Sequence, residues 1–321
     1  MSSEGEGVSA AGGERRGPGE RAARDVGVSP ITGVLVATDL QSDSRSVVGA
    51  AAAVARLTRA PLHVVHVFTP AAVPPAVRAR DPESEDDVVD EARTGLRHQI
   101  QALGADVDIA TAEVLRRRTV DVGIADAARA TAADLVVMGS HAREATSFRL
   151  GSTADRVVRT APVPCLVVRG EPRFPLRRAA VLFDFSPTAR AALGLALQWL
   201  PWLGLSEAGS RLDVLHVAWP QTPEEEGGAA PWRIEAVREE IARAGASVRR
   251  PPAEIRPCVG FSCYPADEAI QQARAERYDL IVLATRGLGL VARTLVGSVA
   301  LGVLHGAPCP VLVVPPPQRR R

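Results

Sequence analysis

The chain repeats itself at the length of a whole domain. Val34-Leu-Val-Ala-Thr-Asp39 returns as Ala179-Ala-Val-Leu-Phe-Asp184, and Leu62-His-Val-Val-His-Val67 returns as Leu212-Asp-Val-Leu-His-Val217. Asp134-Leu-Val-Val-Met-Gly139 matches Asp279-Leu-Ile-Val-Leu-Ala284, Gly151-Ser152 matches Gly297-Ser298, and Ala161-Pro-Val-Pro-Cys-Leu-Val-Val168 matches Ala307-Pro-Cys-Pro-Val-Leu-Val-Val314. The offset stays between 145 and 150 residues. A nearly constant offset of that size is duplication of a folding unit, not a short-period solenoid. The join is Gly170-Glu-Pro-Arg-Phe-Pro175, a Pro-containing linker. With 321 residues, 46% of them hydrophobic, each copy can bury its own core. The organisation read here is a tail over 1–30, one domain over 31–170 and a second over 176–316.

Within each copy, short apolar runs alternate with helical patterns. Strands are expected near 33–38, 62–68, 107–114, 134–139 and 164–169, with helices near 43–59, 83–103, 119–131 and 152–160. The second copy gives strands near 179–184, 212–218, 253–258, 279–284 and 310–315, and helices near 187–199, 232–245, 265–276 and 298–305. Apolar runs without polar alternation suit strands buried on both faces, and strand–helix alternation with right-handed crossovers gives a parallel sheet. The fold class is therefore α/β, two tandem doubly wound sheets. Ligands of such sheets bind beyond the carboxyl ends of the strands.

Composition excludes several functions. Net charge is +1, so no bulk field draws the chain to nucleic acid or to an anionic membrane. Every basic residue among the 38 Lys+Arg is arginine, which removes Schiff-base lysine chemistry and the P-loop signature. Cys165, Cys258, Cys263 and Cys309 form no CxxC pair and read as small buried hydrophobes of a reducing compartment. No metal site is expected. The tail lacks an apolar leader core, and the greasy stretch 191–205 is too short to span a bilayer, so the expected location is cytoplasmic.

The polar residues gather where the strands end. Asp39 and Asp184 close the first strands, and His66 and His216 lie on the second. The fourth strand of the second copy runs into Ala284-Thr-Arg286-Gly287, then Arg293, then Gly297-Ser298 opening a helix. Gly287 and Gly297 permit close backbone approach or positive φ. Free N–H groups at the helix start make an anion site, Ser298 adds a hydroxyl, and no acid occurs from Leu280 to Arg321. A capped, Gly-rich turn is the plain structural alternative. Gly287-x-Gly289-x-x-Ala292 is not a dinucleotide fingerprint, because it follows the fourth strand and no acid stands about 20 residues on. His63 and His66 fall on opposite strand faces and make no zinc pair. The runs Glu83–Asp90 and Glu224–Glu226 read as solvated surface.

The second loop resembles the G-x2-G-x9-G-[ST] motif of the universal stress protein family. Ala284 stands at the first glycine, Gly287 at the second and Gly297 at the third, with Ser298 following. The first copy keeps Gly139-Ser-His141, has Ala142 at the second glycine, and reaches Gly151-Ser152 after a spacer one residue short. The resemblance covers residues 31–316 and implies a Rossmann-like five-stranded sheet, order 3-2-1-4-5, in each copy. It implies ATP, with Mg2+, as cofactor. Asp184 with Phe185 would meet ribose or adenine, and Val217, Val259 and Gly260 would line the adenine. Ala284, Arg286, Gly287, Gly297, Ser298 and Val299 would surround the phosphates. The weaker first site would use Asp39, Val67, Gly139, His141, Gly151, Ser152 and Thr153, with Arg116-Arg-Arg118 standing where the second copy has Val259-Gly260-Phe261.

The reading is an ATP-binding stress-response or signalling module, not an enzyme, with nucleotide mainly in the second copy. The alternative is an interaction module of the same fold without nucleotide. No SGGxDS-type loop follows either first strand, and no G-x-S-x-G elbow occurs, so hydrolase chemistry has no support. The apolar closing strands predict an intramolecular pseudo-dimer of the two copies, and the family likeness extends to homodimers. The tail's composition cannot bury enough surface to offset ordering entropy. Deleting residues 1–28 should leave the melting temperature nearly unchanged; a large drop would show that the tail docks on the fold.

Overall fold

The protein is described from a computed structural model, which covers residues 30–41, 44–70, 84–140, 151–226, 230–285 and 296–316. In the first half the strands are β1 (Val34–Ala37), β2 (Leu62–Phe68), β3 (Ile109–Arg116), β4 (Leu135–Gly139) and β5 (Cys165–Val168). In the second half they are β6 (Arg178–Leu182), β7 (Arg211–Ala218), β8 (Ile255–Phe261), β9 (Leu280–Ala284) and β10 (Val311–Val314). Helices α1 (Ser44–Thr58), α2 (Ser84–Gln101), α3 (Val120–Ala130) and α4 (Ser152–Thr160) belong to the first half. Helices α5 (Pro187–Trp199), α6 (Pro231–Gly245), α7 (Pro265–Ala275) and α8 (Ser298–Gly306) belong to the second.

All ten strands form one sheet, ordered β3-β2-β1-β4-β5-β10-β9-β6-β7-β8. Each half has the order 3-2-1-4-5, and pairing within each half is parallel. The halves meet where β5 and β10 pair antiparallel, with Val311 opposite Val167, Leu312 opposite Leu166 and Val313 opposite Cys165. Both strands are buried at every position, as their unbroken apolar sequences require. The carboxyl ends of the two sets of parallel strands therefore point in opposite directions.

The core lies on both faces of this sheet. One cluster runs from Val34 and Leu62 through Leu166 and Leu312 to Leu193, Leu197 and Leu212, under α1 and α5. The other runs from Leu35 and Val136 through Val167 and Val311 to Ile281, Val303 and Leu304, under α3, α4, α7 and α8. Neither cluster stops at the seam. Burying each large aliphatic side chain contributes about 1.5–3 kcal/mol.

Local chemistry sets the element ends. Ser186 Oγ accepts from Ala189 N at 3.0 Å, and Pro187 opens α5, whose buried stripe is Ala189, Ala192, Leu193, Ala196 and Leu197. Gly204 turns the chain at φ 122°, and a Cβ there would meet the Leu176 backbone at 2.6 Å. On the other face, a Cβ on Gly302 would lie 2.6 Å from Ala266 Cβ, so glycine lets α8 approach α7 closely.

Two expectations shift. β3 and β8 run to Arg116 and Phe261, past the predicted ends at 114 and 258. They are half-exposed edge strands, so hydrophobicity alone marks their ends poorly, while pairing with β2 and β7 carries them on. The cysteine reading holds for Cys165 and Cys309, which are buried and whose thiols burial pushes up to about 12. It fails for Cys263, which is exposed in the turn after β8. A buried ionic cluster also lies beneath β7. Asp213, fully buried, accepts from Arg211, from Arg256 Nη2 at 2.9 Å and from Tyr278 Oη at 2.6 Å.

Splitting the chain tests the seam. Either half expressed alone should self-associate or aggregate, because β5 or β10 becomes an apolar edge. Sedimentation velocity showing two stable, monomeric, non-interacting halves would contradict this.

Candidate functional site

The carboxyl ends of β1, β2 and β4, and of β6, β7 and β9, carry matching local structures. After β1, Leu40 adopts φ 63°, and after β6, Phe185 adopts φ 61°. This left-handed residue follows the acid in each half, and the acid's side chain holds the turn. Asp184 Oδ1 accepts from Ser186 N at 3.0 Å; Asp39 Oδ1 accepts from Gln41 N at 3.0 Å and also from the Ser44 hydroxyl. Asp184 is half-buried and Asp39 exposed.

The histidines repeat as well. His66 Nδ1 lies 2.9 Å from Thr38 O, and His216 Nδ1 lies 2.8 Å from Phe183 O. A carbonyl only accepts, so Nδ1 carries the proton and Nε2 presents a lone pair. His216 Nε2 is buried and has no partner. Burial holds the His216 pKa below its ordinary value near 6.5, with Arg233 adding to the effect. Phe185 stands edge-on to His216, ring centroids 4.9 Å apart. Thr285 Oγ1, just beyond β9, is also buried without a partner.

Each glycine loop is tied where it leaves and re-enters the sheet. Gly151 N donates to Ser140 O at 3.0 Å, and Gly297 N donates to Thr285 O at 2.8 Å. Gly151 and Gly297 are the N-caps of α4 and α8, and no side chain caps either helix. The first N–H groups of both helices thus have no side-chain acceptor from the N-cap glycine and no intrahelical one, an arrangement that suits an anion. Both glycines have negative φ, −64° and −63°. Of the two roles expected for Gly297, positive φ is not the one used; the absent side chain is what remains. His141, Ala142, Arg286, Gly287 and Arg293 lie outside the described residues.

The two cradles differ. α4 has Asp155 in its first turn, whereas α8 has no acid there. An acid at a helix start competes for the dipole that would hold an anion. Ser152 and Ser298 are exposed, as is Val299, while Thr153 is half-buried.

The register corrects one correspondence. Val67 pairs with Leu115 on β3, and Val217 pairs with Gly260 on β8. Arg116–Arg118 therefore do not stand opposite Val259–Phe261. Leu115 matches Gly260, and Arg116 matches Phe261. Arg116 itself pairs with Glu85, so that member of the acidic run is not solvated surface. A Cβ at Gly260 would come 3.3 Å from Glu268 Cγ.

Sequence reasoning missed one more feature. Glu225 is buried, not solvated: it accepts from Arg233 Nε at 2.7 Å and from Gln221 N at 2.8 Å. Arg233 in turn lies 4.3 Å from the Trp232 ring centroid. No periodicity marks this pair, because Glu225 lies in the short helix Pro223–Glu226 and Arg233 in α6.

The fold and these strand ends define a duplicated, doubly wound α/β protein with one candidate anion cradle per half. The chain belongs to the universal stress protein family, whose model matches residues 31–169 and again 175–315. A universal stress protein of Thermus aquaticus, described as lying in the QAH/OAS sulfhydrylase 3′ region, is 50% identical over 50 residues, 16% of this chain and 36% of the relative. The chain thus spans only about a third of that relative's length. A universal stress protein from Archaeoglobus fulgidus shares the fold at 20% identity and TM-score 0.59, over 88% of this chain and 96% of that one. A universal stress protein solved in complex with cAMP matches 43% of this chain and 96% of its own, at 22% identity and TM-score 0.31. No helix among the described residues is long and apolar enough to cross a membrane, and no cluster of His, Cys, Asp or Glu there could hold a metal ion.

The depressed His216 pKa has a thermodynamic sign. The unfolded chain takes up a proton as pH falls below about 6.5, and the native chain resists it, so stability declines on acidification until the native pKa is passed. Denaturant melts at about pH 7 and pH 5 should show a smaller loss for His216→Gln than for the parent. Equal losses would mean that His216 is not a source of this acid sensitivity.

Proposed function

We propose that the second half binds ATP, with Mg2+, as a stress-response or signalling module of the cytoplasm, and that the first half binds it weakly or not at all. The observation that carries this reading is the uncapped start of α8. It is held against the sheet by the bond from Gly297 N to Thr285 O, and its first turn is free of acid. Phosphate oxygens would take the free N–H groups, with the Ser298 hydroxyl beside them. Asp184 has one carboxylate oxygen engaged by Ser186 N, leaving the other to accept from a ribose hydroxyl. Gly260, paired with Val217, keeps side-chain bulk away from the space where a base would lie. The first half has Asp155 and Leu115 at the corresponding places. Nothing in this set is a nucleophile with its base, so the role is binding and not turnover. The two halves act as a pseudo-dimer within one chain.

Isothermal titration of the full chain with Mg-ATP should give one strong site. Gly297→Val should remove it and Gly151→Val should not. Loss of two charge-assisted bonds costs roughly 3–6 kcal/mol, so the change is about a hundredfold or more. Two equal sites, or loss of the strong site in Gly151→Val, would refute the asymmetry. No heat with ATP or cAMP, and no nucleotide released on denaturation, would refute nucleotide binding and favour the interaction-module reading.

A further inference from the structure

A second place in the molecule collects cationic groups without using them. Beside the seam lies a cleft of about 360 Å3, between the strand that ends the first half and the helix end that precedes β9. Arg169 and Arg173 line it from the linker side, and Arg274 and Arg277 from the end of α7, with Tyr278 and Cys309 also in the wall.

Some of its charge is committed. Arg169 donates to the carbonyls of His305 at 2.7 Å and Leu304 at 3.0 Å, at the end of α8. Arg178, just outside the cleft, takes the Glu276 carbonyl at 2.9 Å, at the end of α7. The carbonyl-rich ends of both helices are thus already served, and they do not repel an anion in the cleft. The acids are committed too. Asp279 Oδ2 accepts from the N–H groups of Arg177 and Arg178, at 2.8 and 3.0 Å. Glu276 binds Arg211 and Arg256. Arg173, Arg274 and Arg277 are exposed and take part in no ion pair among the described residues. Glu171 is the remaining carboxylate of the wall.

The first half shows that the fold does not require this. Its position matching Arg274 is Arg129, which pairs with Asp126 at 3.3 Å. In the second half that acid is replaced by Gln271, so Arg274 is left free. Ala132 stands where the second half has Arg277, and Ala133 where it has Tyr278. Both Ala132 and Arg277 take the left-handed conformation, φ 51° and 53°, so the turn belongs to the fold and the guanidinium is the addition.

We propose that this cleft is a binding site for a chain of linked phosphates, distinct from the strand-end site and independent of the nucleotide reading. Guanidinium forks match phosphate oxygens two at a time, and three unpaired forks around one small cleft suit an anion with several phosphate groups. A single carboxylate ligand would leave most of that charge unmet.

The test is titration of the full chain with inorganic triphosphate at low ionic strength. In G297V, where the strand-end cradle is blocked, it should show one site per chain that weakens with added salt. R274A and R277A should each weaken it roughly tenfold, and R277G should do the same while keeping the fold, since glycine favours that turn. R238A, which removes an arginine on α6, should change nothing. ATP binding to G297V as tightly as triphosphate does would show that the cleft reads the phosphate chain whatever carries it. Triphosphate binding there without ATP would assign it to the inorganic chain. Absence of triphosphate binding, its loss in G297V, full binding by the R274A/R277A double variant, or equally tight binding of a poly-glutamate peptide would each overturn the proposal.

Discussion

The antiparallel ladder between β5 and β10 is the interaction on which the rest of the molecule depends. Each strand is only four residues long, and each is buried at every position. Neither half alone can cover its closing strand, because α4 and α8 lie on one face and the edge itself stays open. Pairing satisfies the edge backbone groups and lets both apolar clusters run through the seam. It also fixes orientation. Because β5 and β10 are antiparallel, the two sets of strand carboxyl ends face away from each other, so the candidate cradles cannot share a ligand.

Much of this was legible in the residues, for identifiable reasons. The buried parallel strands are continuous runs of Val, Leu and Ile, a pattern that little else produces, and the duplication showed each run twice. α4 and α5 begin at the expected residues because Gly151 and Pro187 mark their starts. The edge strands β3 and β8 were harder. Half-exposed strands mix polar and apolar residues, and their limits come from pairing with a neighbour. The extension of β3 to Arg116 bears on the candidate site. Only the register shows that Leu115, not an arginine, pairs with Val67 as Gly260 pairs with Val217.

Other parts of the site were not legible because they are made by contacts distant in sequence. The His216 ring is oriented by the carbonyl of Phe183, 33 residues away. Asp213 gathers Arg211 from its own strand, Arg256 from β8 and Tyr278 from beyond α7, the last two distant in sequence. Burying such a carboxylate is tolerable only with this many donors. The cluster holds the amino ends of β7 and β8 and the end of α7 together, on the side away from the cradle. It therefore supports the strand frame from the amino ends of the strands.

Duplication explains why the two halves can diverge at their ligand ends without losing the fold. The shared requirements are backbone ones: a left-handed residue after the first acid, a histidine bonded to a carbonyl of the first strand, and a glycine whose N–H closes the loop. Each is met twice with nearly the same geometry, at Leu40 and Phe185, His66 and His216, Gly151 and Gly297. Side chains that project beyond this frame are not constrained by it. Asp155 facing an acid-free first turn in α8, Leu115 facing Gly260, and Ala132 facing Arg277 are all changes of that kind. None alters a strand, a cap or the seam, so each can change what a half binds at little cost to stability. The common frame carries the folding energy, and these particular differences lie outside it.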